Sequence, residues 1–343
     1  MIIFLFSDFK FGGSQKISID VYNELIKKKI KSKILVINDK GNLKKRIKHN
    51  SNIYNLNSSR LLLAIFKIYK FLSKEDVKKV FCTQPHLGIL IYFISFFLKN
   101  KISIIVRETN TTQYHSFLYV GLKKHLENFS KKIIFNYIDT VIFPSKNIAY
   151  KLNCKSIVIP NFVDIEEIKK TKKTYHKNFI LAMGRLTKQK GFDVLIKSFD
   201  KVKNRINKNL YIFGEGEDEN KLKLLIKEKK LEKRVKILNF IQNPFIYLKS
   251  CDLFVLSSRW EGLPNILIQA LACKSNILST DCKFGPKEIL KNGKLGYLCK
   301  VDSVKDMSEK IIMSLLKKKQ ILKQDINKYS KITIIKKYIE LLS

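Results

Sequence analysis

Short apolar runs alternate along the chain with segments whose apolar residues recur every three to four positions. A run of four to seven apolar residues bounded by polar ones reads as a buried strand, and the longer period reads as an amphipathic helix. Met1–Ser7, Ser32–Ile37, Ile53–Leu56, Val77–Thr83, Ile102–Val106, Thr140–Phe143 and Ser156–Ile159 are strands by this pattern. So, further on, are Phe179–Gly184, Leu210–Phe213, Val235–Phe240, Asp252–Leu256 and Ser275–Thr280. Helical spacing fills the gaps, including a segment running to about Lys29 and a long basic one near Gln113–Tyr137. It recurs at Ile266–Leu271, Met307–Leu316 and Ile334–Leu342. Repeated β-α alternation predicts an α/β protein built on parallel, doubly wound sheets. Leu87–Leu98 (LGILIYFISFFL) is the most apolar run, but twelve residues are too few to span a bilayer. It reads as a core helix, with a membrane-dipping segment as the alternative.

Composition narrows the class. A chain of 343 residues suits two domains, and 45% hydrophobic content excludes a disordered protein. Met1–Ser7 is too short and lacks the basic residues of a secretory signal. Six cysteines are scattered without a Cys-x-x-Cys pair, as expected of reduced thiols in a cytoplasmic protein with no metal site. The net charge of +38 invites a nucleic-acid reading. The excess is spread evenly, however, with 28 Lys/Arg against 10 Asp/Glu in residues 1–165 and 39 against 19 in 166–343. No basic tail or aromatic-interleaved RNA motif stands out. Such a charge favours anionic substrates and acidic membrane surfaces. The face Lys123–Lys132 is one candidate contact, a solvated surface being the plainer account.

Candidate chemistry lies where strands run into loops. Asp252–Leu256 leads through Ser257-Ser258-Arg259-Trp260-Glu261-Gly262-Leu263 to Pro264 and Asn265, where a helix starts. Open α/β sheets bind ligands at that end of a strand, and a helix N-terminus offers N–H groups and positive dipole charge to a phosphate. Glu261 can accept hydrogen bonds from ligand hydroxyls, or simply cap the helix. Gly184-Arg185-Leu186-Thr187-Lys188-Gln189-Lys190-Gly191 holds a forked guanidinium and a point-charge ammonium, which suits a diphosphate. The alternative is two more surface cations among 67. Gly214-Glu215-Gly216 and Gly12-Gly13 are further strand-to-glycine turns. Arg107-Glu108 leaves a buried strand, either as an internal ion pair or as part of a cleft with His86.

The run E-G-L-P-N-I-L-I-Q-A from Glu261 to Ala270, with G-R-L-x-x-x-K-G-x-D-x-L from Gly184, resembles the signatures of retaining glycosyltransferases of family 4. The resemblance implies the GT-B fold, two facing Rossmann-like domains whose C-terminal helix crosses back to the first. Ile159-Pro160-Asn161-Phe162-Val163-Asp164 is similar to the family's crossing signature, and a lysine-rich run Glu166–Lys177 supports a linker there. The implied domains are 1–163, 164–325 and the returning helix 326–343. The resemblance implies that Glu261 faces the donor sugar while Arg185 and Lys190 bind the diphosphate and stabilise the leaving group. It implies that Gly12, Gly13, Gly184, Gly214, Gly262, Leu263, Pro264 and Asn265 border the donor. Gln269 stands where the family has a second glutamate, on the nucleotide ribose. His86, Arg107 and Glu108 are acceptor or cleft candidates, and no catalytic His is transferred.

The enzyme so implied is metal-independent and has no cofactor, using a nucleotide-diphosphate sugar as co-substrate. Its acceptor is a glycan or polyprenyl-linked molecule of bacterial surface polysaccharide, lipopolysaccharide or glycoprotein synthesis. The expected location is the cytoplasm, peripheral on the inner face of the membrane, with no nucleic-acid partner. A nucleotide-sugar 2-epimerase of the same fold and a basic nucleic-acid-binding protein are the competing classes.

Overall fold

The computed structural model describes residues 1–10, 12–58, 61–108, 134–146, 154–172, 178–241 and 243–343. It divides into two compact units, Met1–Asn161 with Ile332–Ser343, and Phe162–Lys331. The helix read near Gln113–Tyr137, with its Lys123–Lys132 face, lies outside the described residues up to 133. No helix among them is long and apolar enough to cross a membrane.

The first unit is a seven-stranded parallel sheet, β1 (Ile2–Phe6), β2 (Ser32–Val36), β3 (Ile53–Asn55), β4 (Lys79–Cys82), β5 (Ser103–Arg107), β6 (Thr140–Phe143) and β7 (Lys155–Val158). The order is β3-β2-β1-β4-β5-β6-β7, so the winding reverses between β1 and β4. Every residue of β1 and β6 is buried, which is why these strands read as continuous apolar runs rather than alternating ones.

Arg107, at the end of β5, is 2% exposed. Its Nε donates to the Tyr338 hydroxyl at 2.8 Å, Nη1 to Ser14 Oγ at 2.8 Å and Nη2 to Asn161 Oδ1 at 2.5 Å. One guanidinium thus ties β5 to the first helix (Gly13–Lys27), to the segment leaving the unit and to the last helix (Lys331–Leu342). Buried charge is tolerated only with its donors satisfied, and these three acceptors are neutral groups of the protein. Lys79 adds a second tie, its Nζ donating to the carbonyls of Leu341 at 3.3 Å and Leu342 at 2.9 Å. A cation there also complements the negative end of the helix.

The second unit is a six-stranded parallel sheet, β8 (Phe179–Met183), β9 (Asn209–Phe213), β10 (Val235–Leu238), β11 (Leu253–Leu256), β12 (Ile277–Thr280) and β13 (Tyr297–Cys299), ordered β10-β9-β8-β11-β12-β13. Side chains of β8 alternate between two cores. Phe179, Leu181 and Met183 pack with Phe254, Leu267 and Ile268; Ile180 and Ala182 pack with Leu195, Phe199 and Val255.

Two expectations change here. Residues 326–331 stay with the second unit, because Val163 N–H donates to Tyr329 O at 2.9 Å and Lys331 N–H to Val163 O at 2.9 Å. The return therefore begins at Ile332. The expected linker opens instead as a helix, Ile165–Lys170, because the Asp164 carboxylate caps the N–H groups of Glu166 and Glu167, both at 3.1 Å. Residues 173–177 lie outside the described residues.

The Arg107 network predicts the cost of one oxygen. Tyr338→Phe keeps the ring, which packs edge-on against Phe81 with centroids 6.1 Å apart, but leaves a buried guanidinium donor short of its acceptor. Urea unfolding should show a loss of about 1–3 kcal/mol. A change below about 0.5 kcal/mol would mean that the hydroxyl is dispensable.

Candidate active site

The second sheet reverses its winding between β8 and β11, which pair directly through Leu253 with Ile180 and Phe254 with Leu181. Their following loops are therefore neighbours at the ligand-binding end of the sheet. Gly191 lets them close. It sits at φ +61, and a Cβ there would meet Ser257 O at 2.2 Å, so any other residue is both strained and blocked. The contact is laced by hydrogen bonds from Ser257 Oγ to Lys190 O at 2.7 Å, Arg259 N–H to Gln189 O at 2.8 Å and Gln189 Nε2 to Trp260 O at 2.9 Å. Arg259 completes it with two bonds to the Asp193 carboxylate, at 2.9 and 2.8 Å, one to Lys188 O at 2.7 Å and an ion pair to Asp302 at 2.7 Å.

Inside this clasp Lys190 Nζ meets Glu261 Oε1 at 2.5 Å, with side chains 14% and 7% exposed. The same oxygen accepts from the buried Ser258 hydroxyl at 2.7 Å. Thr280, at the end of β12, holds Ser258 in turn by donating to its carbonyl at 2.5 Å. Glu261 is therefore an aimed, charge-compensated carboxylate rather than a helix cap. Lys190 has three donors and spends one here, so two remain for an anion. The stem of Lys190 lies over Gly184, where a Cβ would stand 3.2 Å from its Cδ and Cε. Gly214, after β9, presses on the same loop, and a Cβ on it would meet Gly184 O at 1.9 Å. Arg185 is exposed, and its side chain has no hydrogen bond or ion pair among the described residues.

The helix Asn265–Ala272 starts after Pro264 with no side-chain cap. Its first N–H groups have no partner within the helix. Asn265 Oδ1 and Thr187 Oγ1 are buried without a hydrogen bond among the described residues. Gln269 is half-buried one turn beyond Asn265, and its side chain has no hydrogen bond among them either. Gly262 and Leu263 complete the loop, Leu263 pointing into the core. Burial, reinforced by the charge of Glu261, pushes the neighbouring Cys282 thiol up to about 12, which leaves it an inert neighbour.

Sequence reasoning named Glu261, Lys190 and Arg185 but missed Ser258, Thr280, Gln189 and Arg259. Their signal was position alone, polar residues at or within a few positions of the ends of buried strands.

The first unit holds the other candidates. Ser7 Oγ donates to Gln84 Oε1 at 2.6 Å and lies 2.9 Å from His86 Nε2, which brings the ends of β1 and β4 together. Gly12 precedes the helix that opens at Gly13, and Phe11 is outside the described residues. Arg107 and Glu108 are buried, at 2% and 1% exposure, and Arg107 is committed to the network above rather than presented to a ligand.

Residues 163–333 match the family Glycosyl transferases group 1. The chain is 34% identical over 271 residues to an uncharacterized glycosyltransferase of Methanocaldococcus jannaschii, a match covering 69% of this chain and 66% of that protein. It is 30% identical over 242 residues to the N-acetylgalactosamine-N,N'-diacetylbacillosaminyl-diphospho-undecaprenol 4-alpha-N-acetylgalactosaminyltransferase of Campylobacter jejuni, covering 68% and 65%. The chain thus spans just under two thirds of these relatives' length. Its fold is similar to that of Anabaena HepE in complex with UDP, with TM-score 0.81, 16% identity and 99% of each chain covered. It is also similar to Staphylococcus aureus TarM in complex with fondaparinux, alpha-GlcNAc-glycerol and UDP, with TM-score 0.77, 17% identity and 100% and 99% covered. These likenesses show the fold, the two Rossmann-like α/β domains of GT-B glycosyltransferases.

The clasp carries a pH signature. Burial, the largest influence on Asp193, favours its neutral form. The hydrogen bonds and charge of Arg259 outweigh it and hold the carboxyl below its ordinary 3.8. A carboxyl depressed by folding contributes stability above its unfolded pKa and loses it as pH falls through the folded value. Asp193→Asn should therefore melt below the wild type at neutral pH, with a gap that narrows once pH drops under about 3.8. A gap unchanged across that range would mean the charge of Asp193 contributes nothing.

Proposed function

We propose that this chain, whose second unit matches the group 1 glycosyltransferases, moves a sugar from a nucleotide-diphosphate donor to an acceptor hydroxyl with retention at the anomeric carbon. The observation that carries the reading is the Lys190–Glu261 pair, held by Ser258 on the loops that carry the exposed Arg185 where the second sheet reverses. Lys190 and Arg185 supply the positive charge against which a diphosphate departs, so the reading needs no metal. Glu261 accepts from sugar hydroxyls through the oxygen not taken by Lys190 and Ser258. The anomeric carbon–phosphate bond breaks with its electron pair going to the phosphate oxygen. The acceptor oxygen bonds to the same face of the sugar and passes its proton to the departing phosphate.

The acceptor belongs to bacterial surface glycan synthesis, a polyprenyl-linked or polymeric glycan. The Campylobacter relative, whose name carries a diphospho-undecaprenol acceptor, supports this. The net charge of +38 supports a peripheral place on an anionic membrane surface at the cytoplasmic side.

Thermal melting against a panel of nucleotide sugars tests the reading. The true donor at 100 times its dissociation constant adds about 2.7 kcal/mol. No stabilisation by any nucleotide sugar, with salt-dependent RNA or DNA binding instead, would overturn it.

Arg185→Ala is the clean test of the diphosphate contact, because that side chain is exposed and supports nothing else. Turnover should fall on the order of 10²-fold with the melting temperature unchanged. Lys190→Ala also strands a carboxylate at 7% exposure and should cost stability as well, about 3–5 kcal/mol on the scale of broken buried pairs. Full activity in Arg185→Ala would remove the assignment.

Gln269 offers a second check. If it faces the ribose, Gln269→Glu replaces a neutral bond by a charge-assisted one. The nucleotide should tighten by up to about 1–1.5 kcal/mol, read by calorimetry. Unchanged binding in both Gln269→Glu and Gln269→Ala would place the ribose elsewhere.

A further inference from the structure

Two neighbouring helices of the first unit, Leu61–Lys74 and Pro85–Ser95, lie against the sheet and against each other. Each buries one side: Ala64, Ile68, Phe71 and Leu72 in the first, Leu87, Leu90, Ile91 and Ile94 in the second. Their other sides are not polar. Leu63 and Phe66 stand three apart on the outer side of the first, 61% and 70% exposed. Phe93, Phe96 and Phe97 share the outer side of the second helix and the turn that ends it, 53%, 67% and 74% exposed. Tyr137, itself largely exposed, stacks on Tyr92 with ring centroids 6.0 Å apart, and Phe96 packs edge-on against the same ring at 5.0 Å. Single exposed apolar residues are ordinary in a soluble protein, but Phe93 and Phe96 packed on Tyr92, with Phe97 next in the chain and Leu63 and Phe66 exposed on the adjoining helix, are not.

The charge around this group decides what covers it. Residues 61–74 carry Lys67, Lys70 and Lys74, and residues 85–101 carry Lys99 and Lys101, while neither stretch contains an Asp or Glu. All five lysines are exposed. Along the first helix the outer side changes from Leu63 and Phe66 to Lys70 and Lys74, apolar at one end and cationic at the other. Aromatic rings backed by lysines, with Glu75 just beyond the first helix already paired with Lys33, suit the boundary where anionic headgroups overlie acyl chains. A protein partner would need its own carboxylates, and a second copy of this face would oppose lysine to lysine.

We propose that this face of the first unit, centred on Phe66, Phe93, Phe96 and Phe97, docks onto the surface of an anionic lipid bilayer. The proposal rests on the membrane-peripheral reading above and names the surface that does the work. The rings enter the interface and the lysines meet lipid phosphates, with no helix crossing the membrane.

Co-sedimentation of the full chain with phosphatidylcholine vesicles, with and without phosphatidylglycerol, tests it. The wild type should bind the anionic vesicles, more weakly as salt rises. Phe93→Ser/Phe96→Ser/Phe97→Ser should lose at least tenfold in partitioning while keeping its circular dichroism, its melting temperature and its response to nucleotide sugars. Lys70→Glu/Lys74→Glu should also bind less and show a shallower salt dependence, each lysine near the surface accounting for about fivefold. Placing a reporter ring with Phe97→Trp should give a blue-shifted emission on vesicles, above any change in Trp260 of the wild type. If the wild type binds no vesicle, the membrane reading falls together with this one. If it binds and the triple-serine variant binds equally well, the membrane reading stands and this face is wrong. A wild-type dimer that the serine variant abolishes would assign the face to self-association instead.

Discussion

The arrangement of the candidate site depends on one compensated charge. Glu261 sits at 7% exposure, where an unpaired charge is costly to bury. Lys190 and the Ser258 hydroxyl hold it in place. That requirement fixes the distance between the loops after β8 and β11. The closeness needed for the pair is what admits only glycine at position 191, and Arg259 is the clamp that keeps the loops from separating. A polar centre of this kind is preorganised, its charges already balanced and aimed before any substrate arrives.

Much of this architecture is visible in the pattern of the chain. Most of the parallel strands are buried and apolar throughout, which makes them conspicuous, and glycines after β8 and β9 mark where backbone approaches backbone. Tyr297–Cys299, a three-residue strand, is the one that the pattern did not single out. Glu261, Lys190 and Arg185 were legible because loop cations and a loop carboxylate at strand ends are chemically conspicuous. Their pairing was not, since 71 residues separate Lys190 from Glu261 and only the strand order makes them neighbours. The same limit hid Arg259 with Asp193, and Thr280 beneath Ser258.

Two other readings stayed open in the sequence for physical reasons of their own. Arg107 looks like a cleft residue because charge at a strand end suggests exposure. The structure spends it on Tyr338, Ser14 and Asn161, from three distant parts of the chain. Leu87–Leu98 is apolar at every turn, so periodicity could not tell which side of the helix would be covered. The structure covers one side and leaves the phenylalanines of the other in solvent. A uniformly apolar helix is where sequence pattern carries least information about orientation.

The order in which the chain is made gives the Arg107 network a further meaning. The second unit is one uninterrupted segment and can close as soon as its residues have left the ribosome. The first unit is interrupted. Residues 332–343 belong to it but are translated only after the whole of the second unit. Throughout that interval the guanidinium of Arg107 lacks the tyrosine oxygen, and Phe81 lacks the ring that covers it. At an elongation rate of roughly 5–20 residues per second, the nascent first unit waits many seconds for its last helix. Although it is made first, it is the half of the molecule that is completed last.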